Sequence, residues 1–184
     1  MYHIKQNKRA EASLELICTA VLELLGEMPF NEISISDVQR RSTVSRSTFY
    51  RNFDSLDDVL SLLCDRGFDE ISTGGGTPVY LRVFHYWFNN PVVLEALVLN
   101  GKTDILAESL KKLLLRSKEL PRMDEARLDY FAANIGYVMA GILATWLHRG
   151  RRESEAELAE ILSDCFAAAG MMLLGSELGD GVKY

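Results

Sequence analysis

Residues 33–53 read ISISDVQRRSTVSRSTFYRNF, two short helical patterns separated by a tight polar turn. Ser34, followed three residues later by Asp37, offers a hydroxyl and a carboxylate to the first free amides, so a helix is expected over residues 35–42. Val38 faces inward in that helix, while Gln39, Arg40 and Arg41 face out. Thr43 and Val44 make the turn, and Ser45 caps a further helix that ends at Asn52 or Phe53. Phe49 and Phe53 tuck inward, leaving Arg46, Ser47, Thr48, Tyr50 and Arg51 outside. This is the layout of a helix-turn-helix, whose second helix enters the major groove of double-stranded DNA. Arginines there reach guanine edges and phosphates, and short hydroxyls make close contacts. Arg40, Arg41, Arg46 and Arg51 against Asp37 give the stretch a local balance of plus three, expected to lie beyond the reach of surrounding acid.

On the N-terminal side, Leu14, Ile17, Cys18, Val21, Leu24 and Leu25 recur at intervals of three and four, the stripe of an amphipathic helix over residues 8–26. Gly26 and Pro29 end it, and Phe30, Ile33 and Ile35 follow as apolar anchors. Lys5, Lys8 and Arg9 lie against the helix dipole, which leaves phosphate contact or a solvated tail as their readings. On the C-terminal side, Ser55 with Asp58 repeats the cap signal and opens a fourth helix. Its Leu56, Val59, Leu60, Leu63, Gly67 and Phe68 would cover the first three. Residues 1–71 are therefore expected to form a helix-turn-helix domain, and residues 72–78, STGGGTP, a glycine-rich joint. The three glycines lack the lysine and the preceding strand of a phosphate-binding loop.

Residues 79–184 carry no alternating strand pattern, and the expected fold class is all-α. Helices are predicted over 79–89, 91–99, 104–118, 124–149 and 154–174, with Pro91 in a first turn behind an Asn90 cap and a capping box at Ser154 and Glu157. Ala132, Gly136, Ala140 and Ala144 recur every four residues, a small-residue ridge that admits a close neighbour. The last helix adds a stripe through Leu158, Leu162, Cys165, Phe166 and Ala169. One expectation is that these two helices pair with their copies in a two-fold homodimer; the other is that both stripes close the core of one chain. Residues 131–147 are uncharged but slightly short of a bilayer span of about 20 residues and interrupted by Asn134, so a buried helix is expected and no membrane contact.

Bulk properties narrow the function classes. With 184 residues and a net charge of −6, the chain holds one large domain or two small ones, and only a local basic face would draw it to nucleic acid. Cys18, Cys64 and Cys165 are far apart and form no metal motif, and buried free thiols in a reducing cytoplasm are expected. The polar N-terminus lacks the apolar core of a signal peptide. The histidines are scattered, and no nucleophile–base pair, carboxylate pair or cofactor motif assembles, so no metal, cofactor or catalysis is expected.

The run from Val44 to Phe53, followed by Ser55 and an acidic-apolar helix, resembles the DNA-binding signature of the tetracycline-repressor (TetR) family. The likeness extends through Pro29, Phe30, Ile33 and Ile35 into the first helix, covering roughly residues 8–70. Later it is architectural, apart from Trp146-Leu147 and residues 153–158, which are similar to a helix junction in small members. The resemblance implies a homodimeric regulator, expected to be a repressor, with a C-terminal domain that dimerises and encloses a small-molecule effector. By position it places Arg46, Ser47 and Thr48 on bases, Tyr50 and Arg51 near the backbone, and Ser45 as helix cap and phosphate contact, with Ser34 and Thr43 also counted as DNA-binding. Two positions depart: Thr43 stands where glycine is usual, and Leu56 where a phosphate-binding lysine is common.

An effector pocket would use Phe84, Trp87, Phe88, Tyr137 and Trp146 as apolar lining, with Asn134, His85 and His148 as polar contacts. The alternative is a co-activator or adaptor whose C-terminal domain binds a protein. A closed apolar cavity favours the ligand; a filled core with an exposed apolar patch favours the partner.

Overall fold

Several helices in this chain begin where a side chain is placed to receive the first free amides. At Ser34 the capping box is complete: the Asp37 amide donates to Ser34 Oγ at 3.2 Å, and the Ser34 amide donates to the Asp37 carboxylate at 3.0 Å. Ser154 and Glu157 repeat it, with amide bonds of 2.7 and 3.3 Å. At the start of the fourth helix the Asp58 amide donates to Ser55 Oγ, while the Asp58 carboxylate accepts from the Asp54 amide instead. Asn90 behaves otherwise than its position before Pro91 suggests. Its carboxamide turns back and donates to the Tyr86 carbonyl at 3.0 Å, closing the preceding helix rather than capping the next.

A computed structural model describes residues 2, 8–72, 76–117, 120 and 122–174. Nine α-helices and no strands occur among them: α1 Lys8–Leu25, α2 Ile35–Ser42, α3 Arg46–Asn52, α4 Leu56–Ser72, α5 Val79–Asn89, α6 Pro91–Leu99, α7 Thr103–Arg116, α8 Glu125–His148 and α9 Glu155–Leu174. The fold is all-α, and the helix limits agree with the periodicity to within two residues. Lys5, residues 73–75 of the glycine joint, Lys118 and the side chains of Lys8 and Arg9 lie outside the described residues.

The stripe of α1 is buried against α2, α3 and α4, with Phe49 and Phe53 of the reading helix in the same core. α4 is shared. One side meets α1, and the other lies along α7 and α5. The α4–α7 seam carries acid on one helix and base on or just before the other: Lys102 reaches Asp57 at 2.6 Å, Lys112 reaches Asp65 at 2.9 Å, and Arg116 reaches Asp69 at 2.7 Å. The Tyr2 hydroxyl also donates to Asp65, at 2.6 Å. Gly67 gives this helix a notch, because a β-carbon there would overlap the ring edge and hydroxyl of Tyr86 on α5.

α8 packs along α7. It is long and apolar enough to cross a bilayer, but its ridge is occupied within the chain. A β-carbon at Gly136 would come 2.8 Å from the Ala107 carbonyl oxygen, and Ala132 and Ala140 are buried beside it. The turn into α9 is held by the Trp146 indole, which donates to the Glu153 carbonyl at 3.0 Å, and by Arg151, which sits over that indole and pairs with Glu95.

Candidate nucleic-acid interface

The turn between α2 and α3 is set by Thr43, whose φ of 59° and ψ of 11° are left-handed. Such a backbone favours glycine, and here a β-branched residue adopts it. The Val44 amide then donates to the buried Ser42 hydroxyl at 3.2 Å, and Val44 itself joins the core. Ser45 caps α3 by accepting from the Thr48 amide at 3.2 Å. The reading helix is therefore fixed at its start by a cap and along its length by Phe49, Asn52 and Phe53, all buried.

Its outer side presents Ser45, Arg46, Ser47, Tyr50 and Arg51 exposed, with Thr48 half-buried. The Ser45 hydroxyl lies 3.0 Å from that of Ser47 and 2.9 Å from that of Thr48. Arg51 donates to Thr48 Oγ1 at 3.3 Å, and the Arg46 guanidinium lies over the Tyr50 ring, 3.4 Å from its hydroxyl. These weak, exposed bonds lay both guanidiniums against their own helix at little cost to their release. Ser34 and Thr43 are exposed as well.

The charge on this face differs from the simple count. Arg41 donates to two carboxylates, Glu27 just beyond α1 at 2.6 Å and Glu23 of α1 at 3.2 Å, and these hydrogen bonds raise its pKa further. The Glu27 carboxyl is held low by the same contact. Arg40 pairs with Asp37 at 2.7 Å. Acid from α1 thus does reach the head, and among the described residues α3 carries the positive charge offered outward, through Arg46 and Arg51. Leu56, in the lysine position of the resemblance, is half-buried against the core.

The aromatic set expected to line an effector pocket is structural instead. Phe84 and Trp87 are fully packed core residues. Phe88 stacks on Trp146 with ring centroids 4.2 Å apart, and Trp146 secures the α8–α9 turn. Tyr137 is 53% exposed on the outer side of α8, and exposed Asn134 donates to the Tyr130 carbonyl of its own helix. These six do not converge. An open cleft of about 750 Å3 lies elsewhere, between the end of α4, one side of α5 and the first turn of α9. His85 borders it, and the periodicity of α5 gave no sign of which side would stay uncovered.

The residues expected at a dimer interface divide in two. Gly136, Ala140, Leu158 and Leu162 are spent inside the chain, because α7 fills the ridge and α9 folds its first turns inward. Cys165, Phe166 and Ala169 are exposed, and Cys165 thereby departs from the expectation of a buried thiol. The outward face of α8 instead runs through Tyr137, Gly141 and Thr145, with open space before Gly141. Together with Ile161, Phe166, Met171 and Met172 of α9 it leaves an apolar surface uncovered.

No protein-family model and no curated protein matches the chain. Solved structures do. A protein of Listeria innocua superposes with a TM-score of 0.72 at 17% identity, over 91% of this chain and 96% of that one. A TetR transcriptional regulator of Streptococcus agalactiae superposes with a TM-score of 0.58 at 20% identity, over 84% and 93%. The dihydroxyacetone kinase operon activator DhaS does so with a TM-score of 0.54 at 16% identity, over 85% and 95%. The chain therefore has the all-α fold of TetR-type regulators.

Proposed function

We propose that the protein is a DNA-binding transcription regulator acting as a homodimer on a near-palindromic operator. The observation that carries this reading is α3, whose apolar side is fully used in the core while Ser45, Arg46, Ser47, Tyr50 and Arg51 stand outside on a capped, fixed helix. That is what major-groove reading needs: short hydroxyls and guanidiniums on a rigid rod. The fold supports it, since a solved structure described as a TetR transcriptional regulator shares it. The uncovered faces of α8 and α9 support a second copy as the partner that covers them. We read the regulator as a repressor under the control of a small molecule, because occupying an operator suffices to block transcription and requires no further contact.

The exposed apolar end of α9 favours a second reading, a co-activator that docks another protein there. Met171 is 68% and Met172 86% exposed, side by side near the end of α9. Selection of bound sequences from random DNA tests the first reading. A recovered inverted repeat is expected, and Arg46→Ala should then weaken binding by about 1–3 kcal/mol at fixed salt. Recovery of no consensus would overturn the regulator reading.

A further inference from the structure

We propose that the groove between α4 and α5 binds an elongated, uncharged aliphatic molecule, lying across two clefts that the Tyr86 ring divides. The first cleft, of about 750 Å3, is bordered by Ile71 of α4, Leu81 of α5 and Ala156 of α9. The second, of about 450 Å3, is bordered by Leu22 of α1, Leu63 of α4 and Val92 and Val93 of α6. Tyr86, Asn89 and Asn90 line both, so the two clefts meet along one side of α5.

What parts them is a single side chain. The hydroxyl and ring edge of Tyr86 cross from α5 to α4 and sit where a β-carbon on residue 67 would be. Ile71, in the first cleft, is about one turn beyond that seat, and Leu63, in the second, about one turn before it. Tyr86 is thus a crossbar over one groove. Its ring is half-buried and rests on a glycine by its far end, so a χ1 change lifts it without moving either backbone.

The lining sets the chemical class. Its fixed charges balance: Arg82 and Glu155 border the first cleft, and Arg66 and Glu15, paired at 2.8 Å, border the second. Neither sign is in excess to select an ion, while apolar side chains line both halves. The carboxamides of Asn89 and Asn90 stand where the halves meet, and a hydroxyl suits either polar atom of a carboxamide, since it both donates and accepts. From Leu81 to Asn90 the shared side of α5 runs about 14 Å, the length of an extended chain of about ten carbons. Binding stands on this geometry alone; that the bound molecule controls operator affinity rests on the regulator reading.

Calorimetric titration of the full chain with 1-hexanol and 1-decanol tests the groove. Four more methylenes are worth about 200-fold in affinity when fully buried, and lifting the ring takes part of that, so 1-decanol is expected to bind at least about tenfold more tightly. Decanoate and decylamine should bind no more tightly than 1-decanol. Ala156→Trp and Val92→Trp, on the exposed rims of the two clefts, should each weaken 1-decanol by more than about tenfold, because the chain needs both halves. Gly67→Ala fills the seat of the ring with a residue that suits the middle of α4, and should tighten 1-decanol further. A tenfold preference for either ion, a loss in only one rim variant or in neither, no gain in Gly67→Ala, or no 1-decanol binding up to its solubility would each overturn the proposal. Operator titration with and without 1-decanol reads the control separately: a changed affinity is expected, and an unchanged one refutes the control while the groove stands.

Discussion

At Thr43 the reading head is held by a residue whose side chain opposes its backbone. A left-handed conformation costs a β-carbon about 1–2 kcal/mol, and glycine would relieve that while loosening the unfolded chain by about 0.5–1 kcal/mol. Thr43→Gly is therefore expected to raise stability by up to about 1 kcal/mol in urea unfolding; a clear loss would mean that the threonine makes a compensating contact. Arg41 teaches a different lesson. Its sequence position counts it in the positive balance of the head, yet Glu23 of α1 and Glu27 just beyond it hold it. Arg41→Ala should leave the salt slope of DNA binding unchanged, whereas Arg46→Ala should reduce it by about one if it neutralises a phosphate. Equal slopes for the two variants would reject this division. Arg41 looks like Arg46 in sequence because its acidic partners are 14 and 18 residues away.

Among the helices, those with end signals in their own residues were legible. Ser34 with Asp37, Ser45, and Ser154 with Glu157 act as local caps, and local chemistry is what a sequence displays. The orientation of a helix about its axis was less so. The ridge through Gly136 pointed to close approach, correctly, but α7 rather than a second chain takes the place. The aromatic residues of α5 and α8 were recognisable as apolar, and only packing separates core from pocket. The α4–α7 seam, invisible in sequence, carries its own expectation. Burial works to raise the Asp65 pKa, but the hydroxyls of Ser109 and Tyr2 and the Lys112 ammonium outweigh it and hold the carboxyl below its ordinary 3.8. Between those two values the unfolded chain binds more protons than the folded one. The stabilisation is thus complete above about pH 4 and is lost as pH falls through the lower, folded value. Asp65→Asn should lower the urea midpoint at neutral pH and flatten its fall in acid; an identical acid limb would show that another carboxyl governs it.

For the whole molecule, the proposed regulator is an acidic chain of net charge −6 approaching an acidic polymer, so in that reading attraction has to come from two aligned heads rather than from a general field. Dimerisation is then a condition of binding. Phe166→Glu, on the exposed stretch of α9, is expected to give monomers in light scattering and to reduce operator affinity by far more than tenfold, because the two half-sites lose their mutual effective concentration. Dimers that persist in that variant would place the interface elsewhere. The seam along α4 adds a mechanical consequence. At 17 residues the helix is a rod of about 25 Å, with the reading helix at one end and three charge pairs along its flank. A tilt of about 5° pivoting at its far end sweeps the near end through about 2 Å, and a base contact fails within about 1 Å of stretch. For the proposed regulator such a rod would serve as a lever, able to let go of DNA with no rearrangement of the head.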